Sequence, residues 1–266
     1  MLLGHYRSAI TFRTFILSAI RGEFKNRFIR SKVGALWHFL NPLAMAATYA
    51  FVLSRVLGAR LGDDTNVPGA YAIYLIAGIL AWNFFAEMLQ RCLTIFIEYG
   101  STMKKIAFPR VALPLIVLGG ALLGHALLFL AALLVLTGIG HFPSIEWLFL
   151  PLGSSVIIIF AMGLGILLGT FNVFARDIGQ VMAIVVTFWF WMTPIVYPKD
   201  MLHGAALRVV DANPMTPIIE FFQDIMLYKQ MPDFLSLAYP AAIGVCLLIV
   251  SLLVFRRASG ELVDAL

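Results

Sequence analysis

Residues 111–139 read VALPLIVLGGALLGHALLFLAALLVLTGI, an apolar run with no Asp, Glu, Lys or Arg and one histidine, His125. About 20 such residues cross the hydrocarbon core of a bilayer as a helix. A helix that is apolar on its whole circumference has to meet lipid or other helices. This run takes the chain out of the soluble class, and its neighbours repeat the signal. Leu148 to Phe174, Ile178 to Val196 and Phe234 to Phe255 are equally free of those four residue types; Leu36 to Leu57 and Ala70 to Ala86 complete six candidate spans.

Composition agrees. Of 266 residues 61% are hydrophobic and 12% charged, with a mean hydropathy of +0.93, whereas about a quarter of a soluble domain is charged. The strands of a membrane β-barrel would alternate in polarity over segments of about 10 residues, and no such segments occur. Cys92 and Cys246, the two cysteines, lie far apart in or beside apolar segments and form neither a disulfide framework nor a Cys-rich metal site. The expected fold is an all-α membrane protein with six transmembrane helices. Residues 1–35 form a cytoplasmic amphipathic segment and 36–266 a single membrane domain.

Orientation follows from Lys and Arg, which short cytoplasmic segments retain. Arg7, Arg13, Arg21, Lys25, Arg27, Arg30 and Lys32 precede the first span. Arg91, Lys104, Lys105 and Arg110 lie between the second and third, Arg176 between the fourth and fifth, and Arg256 and Arg257 after the sixth. Arg55, Arg60, Lys199, Arg208 and Lys229 fall on the other side. Both termini are expected in the cytoplasm. Phe12, Phe15, Ile16, Ala19, Ile20, Phe24 and Phe28 recur at helical spacing, with Arg13, Arg21 and Lys25 off the stripe. This is the pattern of a basic helix lying in the interface; a topology signal alone is the simpler reading. No apolar stretch ahead of a cleavage site marks a signal peptide.

The external segment Tyr197 to Asp233 is neither a plain loop nor a span. Asn213, Pro214 and Pro217 punctuate it, and Ile218, Ile219, Phe222, Ile225 and Met226 follow at helical spacing with Glu220 and Asp224 between them. A short amphipathic helix dipping back into the outer leaflet is predicted. Irregular backbone at that depth needs protein or a watery cavity over it.

Several chemistries are missing. No Gly-x4-Gly-Lys phosphate loop occurs, so the chain is not expected to hydrolyse ATP. Gly120 with Gly124, and Gly165 with Gly169, have the spacing that lets helices approach closely. The five histidines have no paired metal-ligand spacing. His125 is the ionisable group in mid-span, read as a neutral imidazole bonded to a neighbouring helix or as a functional group. A proton relay would also need intramembrane carboxylates, which the last four spans lack. Span five carries Phe188, Trp189, Phe190 and Trp191 in a row. Aromatics form interfacial belts, and their faces also attract the polarised C–H bonds of sugars. Both readings stand.

Taken in order, several motifs resemble the membrane subunit of bacterial ABC-2 type polysaccharide exporters, which move lipid-linked O-antigen, capsule or teichoic acid. The stretch from Lys25 to Pro42, KNRFIRSKVGALWHFLNP, is similar to that family's approach to its first span. KKIAFPR at 104–110 with Leu113-Pro114, NVFARD at 172–177, TPIVYP at 193–198 and Asn213-Pro214 match later elements. The resemblance implies a homodimer with two copies of an ABC ATPase subunit beneath it. ATP and Mg would then bind that partner, with no cofactor or nucleic acid on this chain. It assigns Glu98, Lys104, Lys105, Phe108, Pro109 and Arg110 to an ATPase-coupling loop. Pro198, Asn213, Pro214, Pro217 and Phe222 would belong to re-entrant external gate helices.

Trp37, Tyr49, Phe188 and Trp191 are candidates for a polysaccharide path. Arg27, Arg30 and Lys32 would meet either the substrate's diphosphate or anionic lipid headgroups. The function so implied is ATP-driven export of lipid-linked polysaccharide, O-antigen-like, across the bacterial inner membrane. The alternatives are an ABC-2 permease for a drug or small lipid, and an intramembrane glycosyl or acyl transferase. The topology is directly testable. A cysteine introduced by Ser144→Cys should react with an impermeant thiol reagent from outside and one from Ser101→Cys only from the cytoplasm; labelling of both from one side would overturn the six-span arrangement.

Overall fold

The computed structural model describes Thr14, residues 16–22, scattered positions between Leu40 and Thr48, and residues 69–105, 112–258, 260 and 261. Among the described residues every regular element is helical and none is a strand. The long run quoted above forms α3, Ala112–Gly138, preceded by α1, Ala70–Glu98, and the short α2, Gly100–Lys105. A 3-10 turn, Ile145–Phe149, leads into α4, Leu150–Phe174, and then α5, Asp177–Trp191. A second such turn, Lys199–Met201, precedes α6, Ala205–Asp211, and α7, Met215–Gln223. A π-helical turn, Asp224–Tyr228, and α8, Ala238–Ala258, complete the order. Four helices, α1, α3, α4 with its leading turn, and α8, are long and apolar enough to cross a membrane.

Several expected boundaries move. The sixth span, expected over Phe234 to Phe255, is matched by α8, Ala238–Ala258, whose last turn takes in Arg256 and Arg257. The second span was expected to stop at Ala86, leaving Arg91 and Glu98 in a loop, but α1 runs on to Glu98. Its tail is amphipathic: Met88, Leu89, Cys92, Leu93, Ile95 and Phe96 are buried, while Glu87 pairs with Arg91 at 3.8 Å and the Thr94 hydroxyl donates to Glu98 at 2.6 Å. One-turn spacing lets these polar groups satisfy each other without ending the helix. Where a fifth span was expected, over Ile178 to Val196, the chain forms the 15-residue α5 and an irregular tail. At 1.5 Å per residue α5 is about 22 Å long, short of the ~30 Å hydrocarbon core. Pro194 sets the limit, since the residue before a proline is pushed out of the α region. Of the first expected span, only positions between Leu40 and Thr48 are described, and these are helical.

The post of the bundle is α1. Of its most apolar stretch 78% is buried, against 33% for α3 and 22% for α8. Glycines bring α4 onto both neighbours. A methyl group at Gly163 would stand 2.7 Å from the Leu248 amide nitrogen of α8, and one at Gly244 3.0 Å from Phe160 Cα. Gly165 lies against Cys92 Cβ, and a methyl at Gly169 would run into the Cys92 carbonyl oxygen of α1. Between α1, α3 and α4, His125 stacks on Phe84 with ring centres 4.2 Å apart, its Nε2 lying 3.4 Å from Ser154 Oγ. The imidazole of α3 thus meets side chains of both neighbouring helices. At the α2 end a second apolar cluster gathers Cys92, Ile95 and Phe96 with Leu113, Ile116, Val117, Ile166, Val173 and Phe255.

Gly169→Ala should cost about 1–3 kcal/mol, the usual penalty for overpacking a filled site. Gly138, whose added methyl would meet nothing within 4 Å, is the control. Thermal unfolding in detergent should show Gly169→Ala melting lower and Gly138→Ala unchanged; equal melting would refute the close α1–α4 contact.

Candidate functional site

The helical ladder of α5 stops at Trp191, and the chain turns through Met192–Pro198 before the next helical turn. In an apolar surrounding every carbonyl freed by such a break needs a donor from protein. Side chains supply them. Tyr71 OH donates to the Val196 carbonyl at 2.6 Å, and Tyr74 OH to those of Pro194 at 2.9 Å and Tyr197 at 3.0 Å. Gln223 Nε2 of α7 donates to Pro194 O at 3.1 Å, and Tyr197 OH to Trp191 O at 3.0 Å.

Asn213 holds the elbow from the other side. Its Oδ1 accepts from Trp189 Nε1 at 2.8 Å and from the Met215 amide at 3.0 Å. Its Nδ2 donates to Thr193 Oγ1 at 2.9 Å and to Met192 O at 3.4 Å. All four positions of the amide are used, and the side chain joins α5, the break and the start of α7. Pro214 and Pro217 sit where α7 begins, where a missing N–H costs nothing. Pro198 precedes the Lys199–Met201 turn. Phe222 is buried in the core beside Gly153 of α4.

An ion cluster closes the outside of the elbow. Lys199 Nζ lies 2.8 Å from Asp211 Oδ1 of α6 and 3.4 Å from Glu220 Oε1 of α7. Burial pushes the Glu220 carboxyl above its ordinary range, with Lys199 opposing. Burial also works against the Lys199 ammonium, but its two carboxylates prevail and hold it above the ordinary value. Asp224, partly buried and facing the Glu220 charge, is pushed up to about 6.

Beside the elbow, an open cleft of about 220 Å³ runs between α1 and α5. Its walls are Met45, Ile79, Trp82, Asn83, Val186, Thr187, Phe190 and Trp191. Trp82 meets Phe190 edge-on with centroids 5.7 Å apart, and Phe190 meets Trp191 at 5.5 Å. Trp191 is 51% exposed there, while Asn83 and Thr187 bring an amide and a hydroxyl to the wall. Trp82 and Phe190 are buried, so Trp191 is the ring that this wall exposes.

The structure thus gathers Pro198, Asn213, Pro214, Pro217 and Phe222 into one region and puts Trp191 on the cleft. Phe188 is 66% exposed on α5 but does not line the cleft. Glu98 ends α1 and is exposed, as is Lys104 on α2, which Lys105 closes. Phe108, Pro109, Arg110, Arg27, Arg30, Lys32, Trp37 and Tyr49 lie outside the described residues. Sequence reasoning passed over Tyr71, Tyr74, Trp189, Gln223 and Lys199. The tyrosines were not singled out and Trp189 stood between the belt and the sugar path; the distant acceptors they serve leave no mark in a sequence. Gln223 was legible, as an uncharged polar residue on the apolar stripe of α7. Among the described residues no cluster of His, Cys, Asp and Glu could hold a metal ion.

The family model described as ABC-2 type transporter matches residues 14–227. An O-antigen export system permease protein RfbA of Klebsiella pneumoniae is 27% identical over 237 residues, 88% of each chain. Its namesake from Myxococcus xanthus is 24% identical over 262 residues, 98% of each chain. The polysialic acid transport protein KpsM of Escherichia coli is 20% identical over 235 residues, 88% of this chain and 89% of its own. With four helices long and apolar enough to cross a membrane and a family match over most of its length, the chain is a multi-pass membrane protein and belongs to the ABC-2 type transporter family.

Proposed function

We propose that the chain is the membrane subunit of an ATP-driven exporter of lipid-linked polysaccharide, O-antigen-like, in the bacterial inner membrane. The observation that carries this is the similarity to O-antigen export permeases along 88% to 98% of the chain. The energy comes from a separate ATPase that binds ATP and Mg, since this sequence has no phosphate loop. Two copies of the subunit stand over two ATPase subunits. Six spans cross the membrane, the first within Leu36 to Leu57 and the fifth made of α5 and its tail, with both termini cytoplasmic.

On this reading the residues take up the parts that the motifs suggest. Glu98 to Arg110 is the coupling segment, with Lys104 and Lys105 as part of its charged rim and Phe108 and Pro109 as its apolar anchor. The elbow, α6 and α7 form the external gate, α7 dipping into the outer leaflet. The cleft beside Trp191 is half of a conduit that the second subunit completes, and the residues 1–35 lie in the cytoplasmic interface. Arg27, Arg30 and Lys32 draw the substrate's diphosphate to the entrance by charge.

Two measurements test this. Phe108→Ala should weaken co-purification of the ATPase while the subunit remains inserted; wild-type association and export would remove the anchor. Trp191→Ala should lower polymer export about fivefold, the scale of losing one stacked ring of ~1 kcal/mol, with ATPase association unchanged. Trp191→Phe should retain most export and Trp191→Leu little. Equal, near wild-type export for all three would exclude the aromatic path.

A further inference from the structure

At the α2 end of the bundle one buried side chain of α4 bonds to two other helices. Asn172, 2% exposed, stands in the last turn of α4. Its Nδ2 donates to the Leu93 carbonyl of α1 at 3.0 Å, and its Oδ1 accepts the Gly179 amide of α5 at 2.9 Å. Gly179 is the third residue of α5, and its amide is one of those a helix start leaves without an intrahelical acceptor. Arg176, at the capping position of α5, provides no side-chain cap. Asn172 fills that role from seven residues upstream.

The contact with α1 is stiff for a second reason. One helical turn before Asn172, Gly169 rests on the Cys92 carbonyl, and Gly165 on Cys92 Cβ. The α1 backbone is therefore held over two turns of α4 by contacts too close to slide. Beyond Leu93 the ladder runs through Tyr99, whose amide bonds Ile95 O at 3.0 Å and whose carbonyl accepts from Met103 of α2 at 2.9 Å. Met103 packs back on the cluster holding Val173. Any push on α2 thus reaches the tail of α1 and, through Asn172, the first turn of α5.

We infer that Asn172 is a positioning residue for transport: its amide locks the tail of α1 to the start of α5, so that movement of α2 is delivered to the helix bearing Trp191 and the elbow. This rests on the proposed export function. A residue that only caps α5 needs an acceptor; a joint also needs the donor to Leu93. Asn172→Asp separates the two, because a carboxylate still accepts from Gly179 but turns an oxygen toward the Leu93 carbonyl.

The test uses the full-length protein with its ATPase subunits, comparing wild type, Asn172→Ala and Asn172→Asp. Readouts are inserted protein, ATPase association, polymer exported per ATP hydrolysed, and amide hydrogen exchange in α1 and α5. Both variants should associate with the ATPase normally yet export about tenfold less per ATP, within the usual range of coupling between sites. Exchange at Gly179 should rise about tenfold in Asn172→Ala, the loss of one hydrogen bond, and stay slow in Asn172→Asp. Unchanged export per ATP in Asn172→Asp would overturn the joint, as would loss of export that only tracks loss of inserted protein. If Asn172→Ala fails to insert, Asn172→Asp decides alone. If the wild type exports no polymer, the transport function fails and exchange decides the joint. Faster exchange of the last turns of α1 in Asn172→Asp supports it, and unchanged exchange overturns it.

Discussion

A peptide carbonyl in apolar surroundings must have a donor, and the architecture around α5 is arranged by that requirement. Once Pro194 ends the helix, the carbonyls of Met192, Pro194, Val196 and Tyr197 have to be met by side chains. Their donors come from α1, from Asn213 and from α7. The break therefore fixes where α1 and α7 stand, and the wall of the cleft with them. Gly78 makes room for it, since a methyl there would crowd Ile195 and Gln223 at 3.1 and 3.2 Å. The hydrogen bonds that satisfy the elbow are the same ones that shape the candidate site.

The four aromatic residues that end α5 show how one run serves two purposes. Helical spacing turns Trp189 and Phe190 inward, against Trp82, Phe85 and Phe160. Phe188 and Trp191 face out. The inner pair builds the core and, through the Trp189 indole, anchors Asn213; Trp191 is left to the cleft. Neither the belt nor the path accounts for all four.

Much of the fold was legible because hydrophobic runs are unambiguous where they lack charge. Val111 to Ile139 became Ala112–Gly138, and Leu148 to Phe174 became Leu150–Phe174. Legibility failed where a helix carries its own ion pair: Glu87 and Arg91 read as the edge of a loop because a sequence does not say that they face each other one turn apart. In the candidate site, Asn213, Pro214 and Trp191 stood out as punctuation or as a ring beside it. Tyr71 and Tyr74 did not, since their partners lie more than a hundred residues away and are backbone atoms. Asn172 sat inside a recognised motif, but its bond to Leu93 depends on an approach of α1 and α4 that only the packed glycines create.

The helix most deeply enclosed is also the least apolar of the four long ones, and this has a bearing on how the protein is made. On its own in lipid, α1 would present Asn83, Glu87, Gln90 and Arg91 to hydrocarbon, at a cost of about 2.5–3.5 kcal/mol for a central charged residue on insertion scales. The more apolar α3 and α4 carry no such burden. Since α1 leaves the ribosome before α3 and α4, the helices that cover these polar groups are made after it. The central post thus depends for its cover on helices that follow it in the sequence, and its polar face is satisfied only in the assembled bundle.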